Sequence, residues 1–284
     1  MHPLSFTGAR QVRFPAPDVA RGFMLVLIAL ANVPFWLRYF PDTPQVGEAA
    51  LAAMNGADQW WYLVRTLFVD RRAYPLFSIL FGFGMAIMAS RTIERERRLA
   101  MDAIAPEVSA GWNTVQWEIV REAVERRACR AASRLIRRRG WWMLAFGLVH
   151  GIIFSGDIIG AYGLVAVIFA EVIVMRRPWL RVLVGAIIAC LSLLGIWSMA
   201  AMMGREPMVL ESHGPVALDA SYPLVSLTSW LIATPMTVLT ALVVPCVMIG
   251  VGASRWGLLQ DPRGHGALLS SIAACGLGIG ALGA

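Results

Sequence analysis

Long apolar stretches separated by short arginine-rich segments are the feature that most limits what this chain can fold into. Of its 284 residues, 58% are hydrophobic and only 15% are charged, whereas a soluble domain usually carries about a quarter charged residues. A helix needs about 20 mostly apolar residues to cross the hydrocarbon core of a bilayer. The sequence therefore predicts an all-α polytopic transmembrane helix bundle, a single domain over residues 1–284 with the lipid bilayer as its surroundings.

Seven stretches have the length and composition of a membrane span. They cover about residues 20–37, 73–90, 140–154, 158–175, 179–203, 224–253 and 266–284. The segment 91–139 is an arginine-rich loop in which a cytoplasmic helix is predicted, because Arg121–Glu125 and Glu122–Arg126 are i,i+4 pairs. Since the last stretch stops inside an apolar helix, we expect the chain to be truncated at its C-terminus.

The positions of the arginines predict which side of the membrane each loop faces. The sequence has 25 Lys and Arg residues, all of them arginine, and positive residues near span ends are retained in the cytoplasm. With a cytoplasmic N-terminus, twenty arginines fall in inside segments and five fall outside, namely Arg38, Arg65, Arg71, Arg72 and Arg205. We therefore expect the N-terminus and the segment 91–139 to be cytoplasmic. A signal peptide cleaved after Ala29-Leu30-Ala31 is the alternative for the first stretch.

Charge and cysteine content argue against two classes of function. A pI near 9.9 is compatible with nucleic-acid binding, but the arginines alternate with apolar stretches instead of forming one basic face with interleaved aromatics. The four cysteines, Cys129, Cys190, Cys246 and Cys275, are far apart and show neither zinc-ligand spacing nor a disulfide framework. We expect no nucleic-acid partner and no metal.

Polar side chains within apolar spans are costly, so they are candidate functional residues. Asp18, Arg21 and Asn32 share one stripe of the first predicted helix at about 100° per residue. Asp18 and Arg21 mark its cytoplasmic end and are candidates for cofactor binding, whereas Asn32 lies nearer the outer end. The alternative is a local ion pair at the headgroup level and an Asn that bonds a neighbouring helix.

His150 and Asp157 lie on either side of the predicted outward turn between the third and fourth spans. An imidazole can take up or deliver a proton near neutral pH, and a nearby carboxylate fixes its tautomer and raises its basicity. The pair is therefore a candidate catalytic site. The alternative is a buried His bonded to a carbonyl and an Asp that caps the next helix.

Three motifs resemble those of the YeiB-like bacterial membrane proteins. They are Asp18-Val-Ala-Arg21-Gly22 with Asn32, Leu76-Phe77-Ser78 with Phe81-Gly82-Phe83-Gly84, and His150-Gly151 with Gly156-Asp157-Ile158 and Tyr162-Gly163. The resemblance implies a multi-pass protein of the bacterial cytoplasmic (inner) membrane. It covers residues 18–163 and says little about the rest of the chain.

The first motif is also similar to that of transmembrane acyltransferases of the heparan-alpha-glucosaminide N-acetyltransferase type. This similarity implies transfer of an acyl group from cytosolic acyl-coenzyme A to an extracytoplasmic or membrane acceptor, such as a glycan or lipid, with Asn32 matching an active-site Asn. Those enzymes place a catalytic His shortly after that Asn, but no His lies between Asn32 and Asp70 here. We therefore expect His150 to act as general base, Asp157 to orient it and Asn32 to stabilise the oxyanion.

Two other functions stay open from the sequence. One is a transporter or flippase for a small solute or lipid, whose path would be lined by the polar stripe and by the sixth span with Pro235 and Pro245. The other is a non-catalytic membrane scaffold in which the segment 91–139 binds a cytoplasmic partner or anionic lipid. A homo-oligomer is compatible with all three functions.

Overall fold

A computed structural model describes residues 16–37, 55–69, 73–154, 156–175, 177–202, 221–256 and 264–282. Within these ranges every regular element is a helix, as predicted. The helices are α1 (Ala16–Leu37), α2 (Gly56–Phe68), α3 (Ala73–Asp102), α4 (Pro106–Ser109), α5 (Thr114–Ile153), α6 (Ile159–Ile168), α7 (Ala170–Val174), α8 (Pro178–Met202), α9 (Tyr222–Thr240), α10 (Val243–Arg255) and α11 (Gly266–Leu282).

The lengths and compositions of these helices are compatible with a membrane helix bundle. Three of the described helices, Ala73–Asp102, Pro178–Ser198 and Tyr222–Thr240, are long and apolar enough to cross a bilayer. Three shorter ones, Ile159–Ile168, Val243–Arg255 and Gly266–Gly276, are also apolar. Seven spans and a cytoplasmic N-terminus stay predictions. Several residues on which these predictions depend lie outside the described residues: 1–15, Arg38, Arg71, Arg72 and Arg205. The same holds for the last residues of two predicted spans, 203 and 283–284.

The arginine-rich segment predicted as a loop is mostly helical. Helix α3 continues to Asp102, and α5 begins at Thr114, where the Asn113 side chain and Gln116 form a reciprocal capping box. The 40 residues of α5 join the predicted cytoplasmic helix and the third predicted span into one helix, about 60 Å long at 1.5 Å per residue. Helix-favouring Ala, Arg and Glu dominate its first half, and no proline lies between Pro106 and Pro178.

Two of the predicted spans are divided in the structure. The sixth ends as α9 at Thr240 and restarts as α10 at Val243, with Leu242 at a left-handed φ of 56°. Pro245 explains this break, because a proline has no N–H to bond the carbonyl four residues earlier, at Ala241. The fourth predicted span breaks at Phe169, between α6 and α7, where the local sequence offers no helix breaker.

Helix α3 lies at the centre of the described bundle and packs on α1, α5 and α10. Its contact with α10 is close on both sides: a Cβ added to Gly82 would overlap the Val247 carbonyl, and one added to Gly250 would overlap the Ile79 carbonyl. Small residues allow helix backbones to approach in this way. The pair of glycines therefore fixes how α3 and α10 cross.

Tyr162 joins α6 to α3 in the middle of the core. Its side chain is buried, and its hydroxyl lies 3.1 Å from the Tyr74 carbonyl, to which it donates, and 3.0 Å from Ser78 Oγ. The ring contacts Phe77 and Phe81, with centroids 5.2 and 5.0 Å away. A buried hydroxyl with partners costs far less than an unpaired one, so this network ties the two helices together.

Candidate functional site

The Asp157 carboxylate is the centre of the site, in the turn between α5 and α6. Its side chain is completely buried, yet it accepts four hydrogen bonds. The donors are the backbone N–H of Ile159 (3.1 Å) and of Gly160 (2.8 Å), the Trp230 indole (2.8 Å) and the His150 ring (2.8 Å). Buried carboxylates need such partners, because an unpaired buried charge is strongly unfavourable.

His150 lies in the last turn of α5 and presents its imidazole beside this carboxylate. Its Nδ1 is 2.8 Å from Asp157 Oδ1, its side chain is 41% exposed, and its ring meets the Phe154 ring edge-on at 5.5 Å. An ionised carboxylate can only accept, so Nδ1 carries the proton and Nε2 keeps its lone pair. The exposed ring can therefore accept a proton through Nε2, as a general base does.

Glycines bring α5, α6 and α9 close enough to build this site. A Cβ on Gly151 would overlap the Trp230 indole, and one on Gly147 would overlap the backbone of Gly160. A Cβ on Gly160 would in turn lie too close to Trp230 and to Asp157. The stripe of small residues on α5 is thus what allows the indole to reach the carboxylate.

Trp230 is a site residue that the sequence reasoning missed. It lies on α9, is 8% exposed and donates its Nε1–H to Asp157 Oδ2. Buried Trp usually finds a partner for its N–H, so a Trp in an apolar stretch was a usable signal, although its partner could not be read from the sequence. One turn later, Thr234 Oγ1 is buried with no hydrogen-bond partner in the described part of the chain.

Two of the remaining predicted site residues, Asp18 and Arg21, make contacts on α1 and α3 instead of joining the His150–Asp157 pair. Arg21 bonds Asp18 at 3.2 Å and donates to the Leu80 carbonyl of α3 at 3.2 Å. Its guanidinium lies against Gly84, where a Cβ would collide with it. Asn32 is partly buried on α1 and, within the described ranges, forms no hydrogen bond with His150 or Asp157. Its predicted oxyanion role stays a prediction, as does cofactor binding by Asp18 and Arg21.

Comparisons with known proteins add nothing to the geometry of the His150–Asp157 site. No family model, curated protein or solved structure matches this chain. The resemblance to YeiB-like proteins accordingly depends on the three motifs alone. Among the residues that the structure describes, no group of three or more His, Cys, Asp or Glu side chains could hold a metal ion.

The hydrogen bond from Trp230 should be measurable as stability. We expect Trp230→Phe to lower the free energy of unfolding by about 1–3 kcal/mol, because Asp157 loses a donor while most of the ring packing is kept. Thermal unfolding of the detergent-purified protein measures this. Trp197→Phe is the control, since Trp197 is 71% exposed, and it should change little. Equal effects of the two substitutions would mean that the indole N–H does not support the carboxylate.

Proposed function

We propose that this protein is a transmembrane acyltransferase in which His150 is the general base. The observation that carries the proposal is the 2.8 Å contact between an exposed imidazole and a buried Asp157. Asp157 is itself fixed by three further donors. Such a carboxylate holds the imidazole in one tautomer and stabilises the imidazolium that forms when the base takes a proton.

The proposed reaction uses the imidazole twice. His150 Nε2 takes the proton of an acceptor hydroxyl or amine as the acceptor oxygen or nitrogen attacks the thioester carbonyl. The carbon–sulfur bond then breaks, and the imidazolium returns the proton to the departing thiolate of coenzyme A. Asp157 orients the ring throughout, and Asn32 is the proposed donor to the oxyanion.

Acyl-coenzyme A is the proposed donor because the chain concentrates guanidinium groups at the other end of the bundle. We call this the arginine-rich end and define it by the Arg97–Glu125 and Arg137–Glu171 ion pairs. Guanidinium groups bind phosphates through paired hydrogen bonds. On α5, His150 follows Glu125 by 25 residues, about 38 Å at 1.5 Å per residue. The donor and the acceptor would therefore approach from opposite ends.

Thioester turnover tests the proposal directly. The purified full chain, given acetyl-coenzyme A labelled in its acetyl group and a mixture of glycan and lipid acceptors, should release free thiol and transfer label. Free thiol without labelled product would indicate water as the acceptor and still support the thioester chemistry. No thiol release above the uncatalysed rate, with folded protein, would overturn the proposal.

A transporter or flippase is the second candidate, and the divided helices favour it. Broken helices are common in transporters, where unwound backbone lines the substrate path. Here the helical conformation is interrupted at Phe169, between α6 and α7, and again at Leu242, between α9 and α10. Flux of a solute or lipid in proteoliposomes without any coenzyme A would support this function, and flux absent from vesicles that show thioester turnover would exclude it.

A further inference from the structure

A cavity of about 540 Å³ lies at the arginine-rich end, between α3, α5, α7 and α10. It is separate from the His150–Asp157 site. Its charged lining has four arginines and two glutamates: Arg91, Arg97, Arg98, Arg255, Glu94 and Glu125. Arginines therefore outnumber carboxylates in the lining, and the cavity favours an anion.

Most of these charged side chains are held by partners within the protein, and one is available to a ligand. Arg97 pairs with Glu125, and Arg98 lies 3.4 Å from Glu94. Arg255 donates to the carbonyls of Ile173 and Val174 at the end of α7. Arg91 has no acidic partner among the described residues, so its charge is available to a ligand.

Apart from Ser90 and Ser254, the rest of the lining is apolar. It comes from the last apolar turns of α3 and from α7: Ala86, Ile87, Ala89, Ile93 and Val174. On α3 the change from apolar to charged sequence falls at Ser90 and Arg91. In a membrane-spanning α3 this change marks the headgroup level, where phosphates and acyl chains meet. A ligand that fits both parts of the cavity is an amphiphile with a phosphate.

Packed side chains separate the cavity from the His150–Asp157 site. The deepest α3 residue of the cavity is Ala86, eight residues or about 12 Å after Ser78. Between them Gly82 lies against Val247, and Tyr162 is buried against Phe81. Packed residues thus lie between this cavity and His150, which favours a resident lipid as the occupant of the cavity. The Arg137–Glu171 part of the arginine-rich end lies outside the cavity lining and is left for the acyl donor.

We propose that this cavity binds the phosphate headgroup of an anionic membrane lipid. Arg91 contacts the phosphate, Arg98 beside Glu94 and Arg255 beside the α7 carbonyls add positive charge, and an acyl chain lies along Ala86 and Ile87. This site goes beyond the proposed acyl transfer and does not depend on it. Arginines near a membrane surface contribute about 1 kcal/mol each to binding anionic lipid.

The test measures lipid-dependent thermal stability of the purified full chain. Increasing concentrations of dihexanoyl phosphatidylglycerol should raise the melting temperature until the site is saturated, because a ligand that binds the folded state stabilises it. Dihexanoyl phosphatidylcholine, which has no net charge, should bind more weakly. The double variant Arg91→Gln/Arg98→Gln should bind phosphatidylglycerol roughly 20- to 30-fold more weakly. Arg126→Gln is the matched control, because Arg126 pairs with Glu122 on an exposed face of α5, and its lipid affinity should be unchanged.

Three outcomes would overturn the lipid assignment. Equal binding of the zwitterionic lipid, or unchanged binding by the double variant, would show that the arginines do not select the ligand. If inorganic phosphate bound as tightly as phosphatidylglycerol, a free anion would be sufficient as the ligand. Coenzyme A that displaces the lipid at equal concentration would assign the cavity to the acyl donor instead.

Discussion

Gly250→Ala is expected to destabilise the protein by about 3 kcal/mol, at the upper end of the usual cost of overpacking a core. The added methyl would overlap the Ile79 carbonyl of α3. A backbone atom cannot turn away as a flexible side chain can, so α3 and α10 must separate. For a protein of this size the melting temperature should fall by roughly 6–12 °C, as measured by thermal unfolding in detergent.

Gly252→Ala is the matched control two residues away on α10, because a Cβ there meets nothing within 4 Å. In an open helical position Ala is favoured over Gly by up to about 1 kcal/mol. A glycine-to-alanine substitution should therefore stabilise the protein at position 252 and destabilise it at position 250. Two stabilising results would show that the close contact of α3 with α10 is absent from the protein.

Asp157→Asn should reduce thioester turnover by roughly 10²- to 10⁴-fold, the usual size of a general-base contribution. Asn keeps one acceptor oxygen, which can still serve the Trp230 and Gly160 donors. Its amide group then faces His150 as a donor. The imidazole must accept through Nδ1, so the proton moves to Nε2 and the base is lost. The rate at saturating donor is the measurement.

Asp102→Asn is the control for this substitution, since Asp102 is exposed at the end of α3, and its turnover should equal that of the wild type. His150→Ala should be at least as inactive as Asp157→Asn, and the double variant no worse than His150→Ala, because residues that act as a unit are not additive. If the two single losses multiplied in the double variant, the residues would be acting separately.

Helical content was predictable here because a bilayer limits both length and composition of its spans. The helix boundaries were harder to predict, because a high density of charged residues does not distinguish a loop from a helix. Arg and Glu are good helix formers, and the absence of proline before Pro178 was the better guide to the continuity of α5. The break at Leu242 could have been predicted from Pro245, whereas that at Phe169 could not.

The sequence offered a His150–Asp157 pair and an Asp157 helix cap as alternatives, but the carboxylate makes both sets of contacts, while its catalytic role stays a prediction. Its two oxygens cap the start of α6 through Ile159 and Gly160 and also bond His150. Because the turn is short, this pairing could be anticipated from the sequence. Trp230 could not, since it lies 73 residues after Asp157 and reaches it only through the glycine contacts of α5 and α6.

The measurement that bears most directly on this account is the side of the membrane from which each end of α5 can be labelled. In a background without the four native cysteines, His150→Cys and Arg126→Cys provide one reporter at each end, at positions 41% and 58% exposed. A membrane-impermeant maleimide should label the first only from outside intact cells and the second only after permeabilisation. Labelling of both from the same side would contradict a bundle whose imidazole site and arginine-rich end face opposite compartments.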